Sequence, residues 1–340
     1  MHIPDGYLSP VTCLTLGAAM VPVWGLAARK VKARVRSRYV PLMAMASAFS
    51  FVIMMYNIPI PGGTSAHAVG GALLGVVLGP WAAAICVTIA LAIQALLFGD
   101  GGIWTFGANC FNMAFVLPFT AYAVYRLVAG GSDLKAARRW VGAALGGYVG
   151  LNAAALAAGI ELGVQPILFH TANGTALYCP FPLNVAVPAL LLAHLSLAGP
   201  LEGVVTALVV RYLQATNTGL LALPGTAAPV AAGYRRLWWG LGALVVLTPL
   251  GLLARGTAWG EWSADQVRGL VGYVPAGLSR LSESWSHPPL PDYALPSGAR
   301  GFWSSSLIYI LCAAIGVGLV LLLMYLLGRM QAAEQKGRDR

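Results

Sequence analysis

Long apolar runs separated by short polar stretches fill almost the whole chain, and none shows the two-residue alternation of a barrel strand. A helix needs about 20 apolar residues to cross a hydrocarbon core. Runs of that order extend from about Leu8 to Ala28, Tyr39 to Asn57, Pro80 to Phe98, Thr105 to Val128, Trp140 to Leu162, Leu183 to Arg211, Leu237 to Leu253 and Leu307 to Leu327. A further apolar piece, Ala68 to Gly79, is too short to span and predicts a short, partly buried helix. Pro59, Pro61, Gly62 and Gly63 close the second run, and Gly99, Asp100, Gly101 and Gly102 make a turn ahead of Thr105. In lipid every backbone polar group must be satisfied within its own segment, so this pattern predicts an all-α, polytopic transmembrane bundle.

Composition agrees. Only 9% of the 340 residues are charged and 58% are hydrophobic, against about 25% charged in a soluble domain. The net charge of +10 does not point to nucleic acid, because the basic residues gather at the ends of apolar runs rather than beside stacking aromatics. With the amino terminus outside, 17 of the 21 Lys and Arg fall on the cytoplasmic side, and Arg255, Arg268, Arg280 and Arg300 stay outside. The positive-inside rule therefore predicts a multi-pass cell-membrane protein with an extracytoplasmic amino terminus and a cytoplasmic carboxyl terminus. Residues 1 to 28 hold no Lys or Arg, so they do not read as a signal peptide, and the mature chain is expected to begin at Met1. Cys13, Cys86, Cys110, Cys179 and Cys312 form no C-x-x-C pair and read as small core residues. The spans divide into a bundle over 1–215, a Thr-, Gly- and Pro-rich cytoplasmic linker over 216–236, and a second region over 237–330 with two spans around an outer loop.

The candidate chemistry starts at the first two residues. A chain opening Met1-His2 offers three nitrogens in fused five- and six-membered chelate rings: the terminal amine, the His2 amide once deprotonated, and the near imidazole nitrogen of His2. A plane of nitrogens suits nickel(II) or copper(II) better than zinc, magnesium or calcium. His67, on the same outer side at the entrance of the short helix, is the natural fourth nitrogen. The residues by themselves leave open an incidental His2 and a packing or capping His67. His170 reads as a loop histidine or a third ligand, His194 as a core residue, and His287 has no ligand role.

The opening Met1-His2-Ile3-Pro4-Asp5-Gly6-Tyr7-Leu8-Ser9-Pro10, the segment His67-Ala68-Val69-Gly70-Gly71 with Leu78-Gly79-Pro80-Trp81-Ala82, and the run Gln94 to Gly102 followed by Gly107-Ala108-Asn109 and Asn112-Met113-Ala114 resemble the CbiM/NikM family. These are substrate-binding (S) components of energy-coupling-factor (ECF) transporters for cobalt and nickel. The resemblance covers residues 1 to 215 and implies an S-component fold with an extra amino-terminal helix, with the metal held by Met1, His2 and His67. Residues 237 to 330, with Pro288-Pro289-Leu290-Pro291-Asp292-Tyr293 in the outer loop, resemble the small companion subunit, which implies a NikM–NikN type fusion with two carboxyl-terminal spans.

A ligating imidazole needs its other nitrogen held, and Asp5, Ser65, Gln94 and Asn109 are the candidates; each is also able to satisfy a helix end. Ala44 and Ala48 are a small-xxx-small pair, which the resemblance makes a docking face for the transmembrane coupling (T) subunit; packing within the bundle is the alternative. No G-x-x-x-x-G-K-[ST] occurs and none of the four lysines follows a glycine, so the chain is expected to be no enzyme. The resemblance implies that it needs no cofactor, carries Ni2+ as its substrate, and relies on T and ABC ATPase (A) subunits. Co2+ as the cargo is the main alternative. A membrane metalloenzyme or metal sensor is a further one, although no H-E-x-x-H motif or intramembrane carboxylate dyad serves it.

Overall fold

A computed structural model describes residues 1–34, 39–61, 63–216, 218–221, 234–254, 256–285, 287–295 and 301–338. Most of the linker expected over 216–236 lies outside the described residues, as do four residues of the basic stretch after the first span.

The helices run in chain order as α1 (Pro10–Arg34), α2 (Val40–Met54), α3 (Gly71–Leu78), α4 (Pro80–Phe98), α5 (Phe106–Ala129), α6 (Ala137–Leu168), α7 (Leu183–Thr216), α8 (Arg235–Leu253), α9 (Ala264–Val271), α10 (Ala276–Ser282) and α11 (Phe302–Arg338). Seven of them (α1, α4, α5, α6, α7, α8 and α11) are long and apolar enough to cross a membrane, and α2 is a shorter apolar helix of 15 residues. The chain is a polytopic helical membrane protein with almost no sheet. Pro80 opens α4 at a position where its missing N–H costs nothing. Ser263 and Gln266 cap α9 reciprocally, each side chain satisfying the other's backbone N–H. Turns of π-helix interrupt α4 at Gln94–Phe98, α5 at Phe111–Val116 and α7 at His194–Ala198. Such wide turns are frequent at functional sites.

At the centre, α6 packs against α5 and α7. Small residues allow that closeness: a Cβ on Gly147 would sit 2.8 Å from the Cα of Gly203 on α7. The short α3 lies inside the bundle, with every one of its residues buried. α1 and α8 bury least and lie at the periphery. The proline and glycine signals after α2 fold into a two-stranded antiparallel hairpin, β1 (Ile58–Ile60) and β2 (Thr64–Ala66), in which Pro59 faces Ser65. The sequence predicts a turn there but not the pairing, since three-residue strands give no readable periodicity.

The carboxyl-terminal helix α11 lies along α2. Gly316 meets the ring of Phe51 and Gly328 meets Val40. The pair expected at a docking face, Ala44 and Ala48, is buried (6% and 0% exposed), and helical spacing places both on the stripe between Val40 and Phe51. Both alanines are thus packed within the molecule in this structure.

Candidate metal centre

The first five residues do not trail into solvent. Tyr7 donates its hydroxyl to the Trp262 carbonyl at 2.8 Å, and Ser9 N–H donates to Gln165 Oε1 at 3.0 Å. Upstream of these anchors the chain threads into the bundle beside the Gly99–Thr105 turn. Ile3 N–H donates to Asn109 Oδ1 at 2.8 Å, while Asn109 Nδ2 and the Thr105 hydroxyl both donate to the Ile3 carbonyl. Asp5 accepts backbone N–H bonds from Ile103 and Thr105 at 3.0 and 3.1 Å. Burial raises the Asp5 carboxyl above its usual range, and those backbone donors pull it back down. A side chain at Gly102 would collide with this carboxylate, its Cβ falling 2.0 Å from Asp5 Oδ1; only glycine permits the approach.

This clamp places the donors. Met1 and His2 are buried, and the His2 and His67 rings lie 5.1 Å apart between centroids. His67 directs Nδ1 to the Ala68 carbonyl at 3.0 Å, leaving Nε2 for another partner. Burial holds its imidazole well below the ordinary histidine range, and the Met1 ammonium and His2 push the same way. His67 is therefore neutral at pH 7, the state in which a ring nitrogen binds metal. Its segment is fixed from below by Glu202 on α7. One carboxylate oxygen accepts Val69 and Gly70 N–H, both at 2.8 Å, and the other accepts Ala72 N–H at 3.0 Å. These are orphan donors at the start of α3, so α3 begins where a buried carboxylate can meet them.

Of the four residues expected to support the site, Asn109 and Asp5 hold the amino-terminal backbone rather than an imidazole. Gln94 donates to the Tyr293 hydroxyl at 3.1 Å and to Asp100 Oδ2 at 3.4 Å. Ser65 is buried on β2, and its hydroxyl forms no hydrogen bond among the described residues. Asp100 Oδ1 stands 3.3 Å from His2 Nδ1, the ring nitrogen expected in the chelate, while the other ring nitrogen, Nε2, is buried with no hydrogen-bond partner among the described residues. Tyr293 donates to Asp100 Oδ2 at 2.6 Å. Glu261 Oε1 accepts from the Met1 ammonium at 3.2 Å. Asp100 stands in the motif but as a turn residue. Glu261 lies 260 residues from Met1 and Tyr293 193 residues from Asp100, and only a fold brings them there. His170 is exposed, with Nδ1 at 2.9 Å from the Thr171 carbonyl, and none of its contacts is to these groups. His194 is buried on α7 with Nδ1 bonded to the Leu190 carbonyl, as expected of a core histidine.

The carboxyl-terminal region closes over this centre. Leu290 N–H donates to the Leu97 carbonyl, Tyr293 stacks on Phe98 with centroids 4.5 Å apart, and Tyr309 donates to the Met55 carbonyl at 2.9 Å. Asp292 and Tyr293 both adopt left-handed backbone (φ 51° and 58°), uncommon for residues other than glycine.

A family model for the cobalt uptake substrate-specific transmembrane region, CbiM, matches residues 2–220. The chain belongs to the CbiM family. A model of the PDGLE domain matches residues 235–333, so this CbiM member carries a PDGLE domain after its bundle. The fused nickel transport protein NikMN of Rhodobacter capsulatus is 51% identical over 335 residues, covering 94% of this chain and 95% of that protein. The probable fused nickel transport protein LarMN of Lactiplantibacillus plantarum is 51% identical over 276 residues, 79% of this chain and 80% of that one. The cobalt transport protein CbiM of Ruminiclostridium cellulolyticum is 40% identical over 129 residues, 37% of this chain and 52% of its own length. Among solved structures, a truncated transition metal transporter superposes with a TM-score of 0.59 at 62% identity, over 63% of this chain and 98% of that one.

Proposed function

We propose that this CbiM-family chain is the metal-binding membrane subunit of an ECF-type importer and that its cargo is nickel. The observation that carries the reading is the buried, preorganised amino terminus: Asn109 and Thr105 clamp Ile3, Asp5 ties the segment to the Gly99–Thr105 turn, and Met1 and His2 are thereby buried beside a neutral His67. Three nitrogens from Met1 and His2, with His67 as the fourth, supply the flat donor set that nickel(II) prefers. Relatives that cover most of the chain and are named for nickel support this choice over cobalt.

The donors must shed protons before they coordinate: one from the ammonium, one from the His2 amide, and any on the His2 ring. Asp100 and Glu261 stand against the His2 ring and the terminal ammonium from which protons leave. The hydrogen-bonded clamp spares the chelate the entropy of ordering a free terminus, which contributes to affinity. Orientation follows from the basic residues at span ends, which place the donor face outside. Energy would come from separate T and A subunits, with the ion released inward when they cycle.

Isothermal titration of the purified full chain with Ni2+ and Co2+ tests the reading. One nickel per chain with affinity exceeding that for cobalt supports it. Absorption of diamagnetic, square-planar Ni2+ would identify the nitrogen plane. Equal or tighter cobalt binding, with a paramagnetic five-coordinate spectrum, would transfer the function to cobalt uptake.

A further inference from the structure

In front of the donors lies a cavity of about 250 Å³ whose walls come from both halves of the chain: His67, Asp100, Met54 and Asn57 from the bundle, and Glu261, Asp292, Tyr293 and Tyr309 from the carboxyl-terminal region. Exposure changes sharply across it. The side chains of Met1 and His2 are 0% and 2% exposed, whereas those of Glu261 and Asp100 are 23% and 21% exposed. Asp292 is exposed at the rim and makes no hydrogen bond or ion pair among the described residues. His67 is 96% buried, and its Nε2 takes no hydrogen bond among the described residues although the side chain lines this cavity. Three carboxylates thus ring the cavity that a metal donor faces from inside.

Resting on the reading of Met1, His2 and His67 as the chelate, we propose that this cavity is a receiving site for a hydrated divalent transition-metal ion, with Asp292 as its outermost carboxylate. Oxygen ligands and outer-sphere carboxylates suit a cation that still carries water. Nitrogen donors take it only once that water is shed. The two duties are separated in space: Asp292, Glu261 and Asp100 concentrate the cation where solvent still reaches, and the buried nitrogens bind it where solvent does not. Asp100 and Glu261 already hold the His2 ring and the terminal ammonium, so a cation arriving among the carboxylates competes directly for the groups that keep the donors occupied. The left-handed backbone at Asp292 and Tyr293 serves this arrangement. It turns Tyr293 inward to bond Asp100 while its neighbour Asp292 stays at the rim. Strain of this kind persists where the surrounding structure imposes it, and it clusters at binding sites.

The experiment is stopped-flow association of Ni2+ with the full chain in lipid nanodiscs, comparing wild type with Asp292→Asn and Asp292→Gly. Both replacements tolerate positive φ, so they remove the charge without adding backbone strain. Asp265→Asn, an exposed carboxylate on α9 paired with Arg268, is the control. The expected result is an association rate lowered about fivefold in both Asp292 variants at low salt, where fields extend tens of ångströms, and shrinking to less than about twofold at high salt. The dissociation rate should stay within about twofold and Asp265→Asn should match wild type. Association unchanged in the Asp292 variants, or slowed equally by Asp265→Asn, overturns the receiving site while leaving the chelate intact. A wild-type chain that binds no nickel overturns the chelate, and this proposal with it.

Discussion

At the scale of single residues, the proposed centre depends on a free amine at position 1. Adding one residue before Met1 moves the amine out of the chelate and inserts bulk where Met1 is fully buried. Nickel binding by titration calorimetry is expected to fall by at least about a thousandfold, the equivalent of about 4 kcal/mol. Retained tight binding in that variant would remove Met1 from the donor set. His67 gives a second prediction, with a definite sign. Its ring is held neutral by burial, so its folded pKa is depressed below the unfolded value near 6.5. Below pH 6.5 the unfolded chain gains a proton that the folded chain refuses, and stability falls, by at most about 1.4 kcal/mol per pH unit from this group. The metal-free chain should lose melting temperature between pH 7 and pH 5, and His67→Gln should lose less. An identical pH profile for the two would contradict the neutral assignment. The residue scale is also where the sequence was most legible: Met1, His2 and His67 carry chemistry written in their types and positions. Asp100, Glu261 and Tyr293 were not legible as partners, because a carboxylate in a Gly-rich turn or a tyrosine in a Pro-rich loop looks the same whether or not it touches a donor.

At the scale of elements, α3 is the part most exposed to a single change. Its amino end has no capping side chain of its own, and Glu202 supplies the acceptors from α7, with three spans in between along the chain. Hydrogen bonds to a charged group contribute about 1.5–3 kcal/mol each, and unpaired buried N–H groups cost about as much. Glu202→Gln keeps the volume but turns an NH2 toward backbone donors, so the melting temperature of the detergent-solubilised chain should drop by several degrees. Nickel affinity should fall with it, since His67 stands two residues before the first N–H that Glu202 fixes. A variant with unchanged melting and binding would show that α3 is positioned by packing alone. The alanines of α2 carry the opposite lesson. Small-xxx-small spacing marks a surface suited to close helix packing but does not name the partner, and in this structure α2 packs along α11 of the same chain.

At the scale of the whole molecule, the two halves share one centre. A chain ending at Leu221 resembles the truncated transition metal transporter in extent, since that structure covers 63% of this chain. It is therefore expected to fold. It lacks Glu261, Tyr293, Asp292 and the stacked loop, so the amino terminus loses its ion pair and Asp100 loses its tyrosine. Hydrogen exchange at Ile3 and Asp5 amides should accelerate, nickel should leave faster than from the full chain, and its association at low salt should slow because the receiving carboxylates Glu261 and Asp292 are gone. Unchanged exchange and rates would mean that the PDGLE domain covers the centre without governing it.

The sequence by itself determined the helical class, seven of the eight expected spans and their relation to the CbiM family, and it singled out the proposed nitrogen donors, because these follow from local hydropathy, charge and side-chain chemistry; the run from Tyr39 to Asn57 gives only the 15-residue α2. The tertiary structure alone decided the rest. It folded the turn after α2 into a hairpin, laid α11 along α2, set Glu202 under α3, and brought Glu261 to the terminal amine and Tyr293 to Asp100. Such contacts depend on which surfaces meet in space, and hydropathy records that a surface is apolar or polar without recording what it will face.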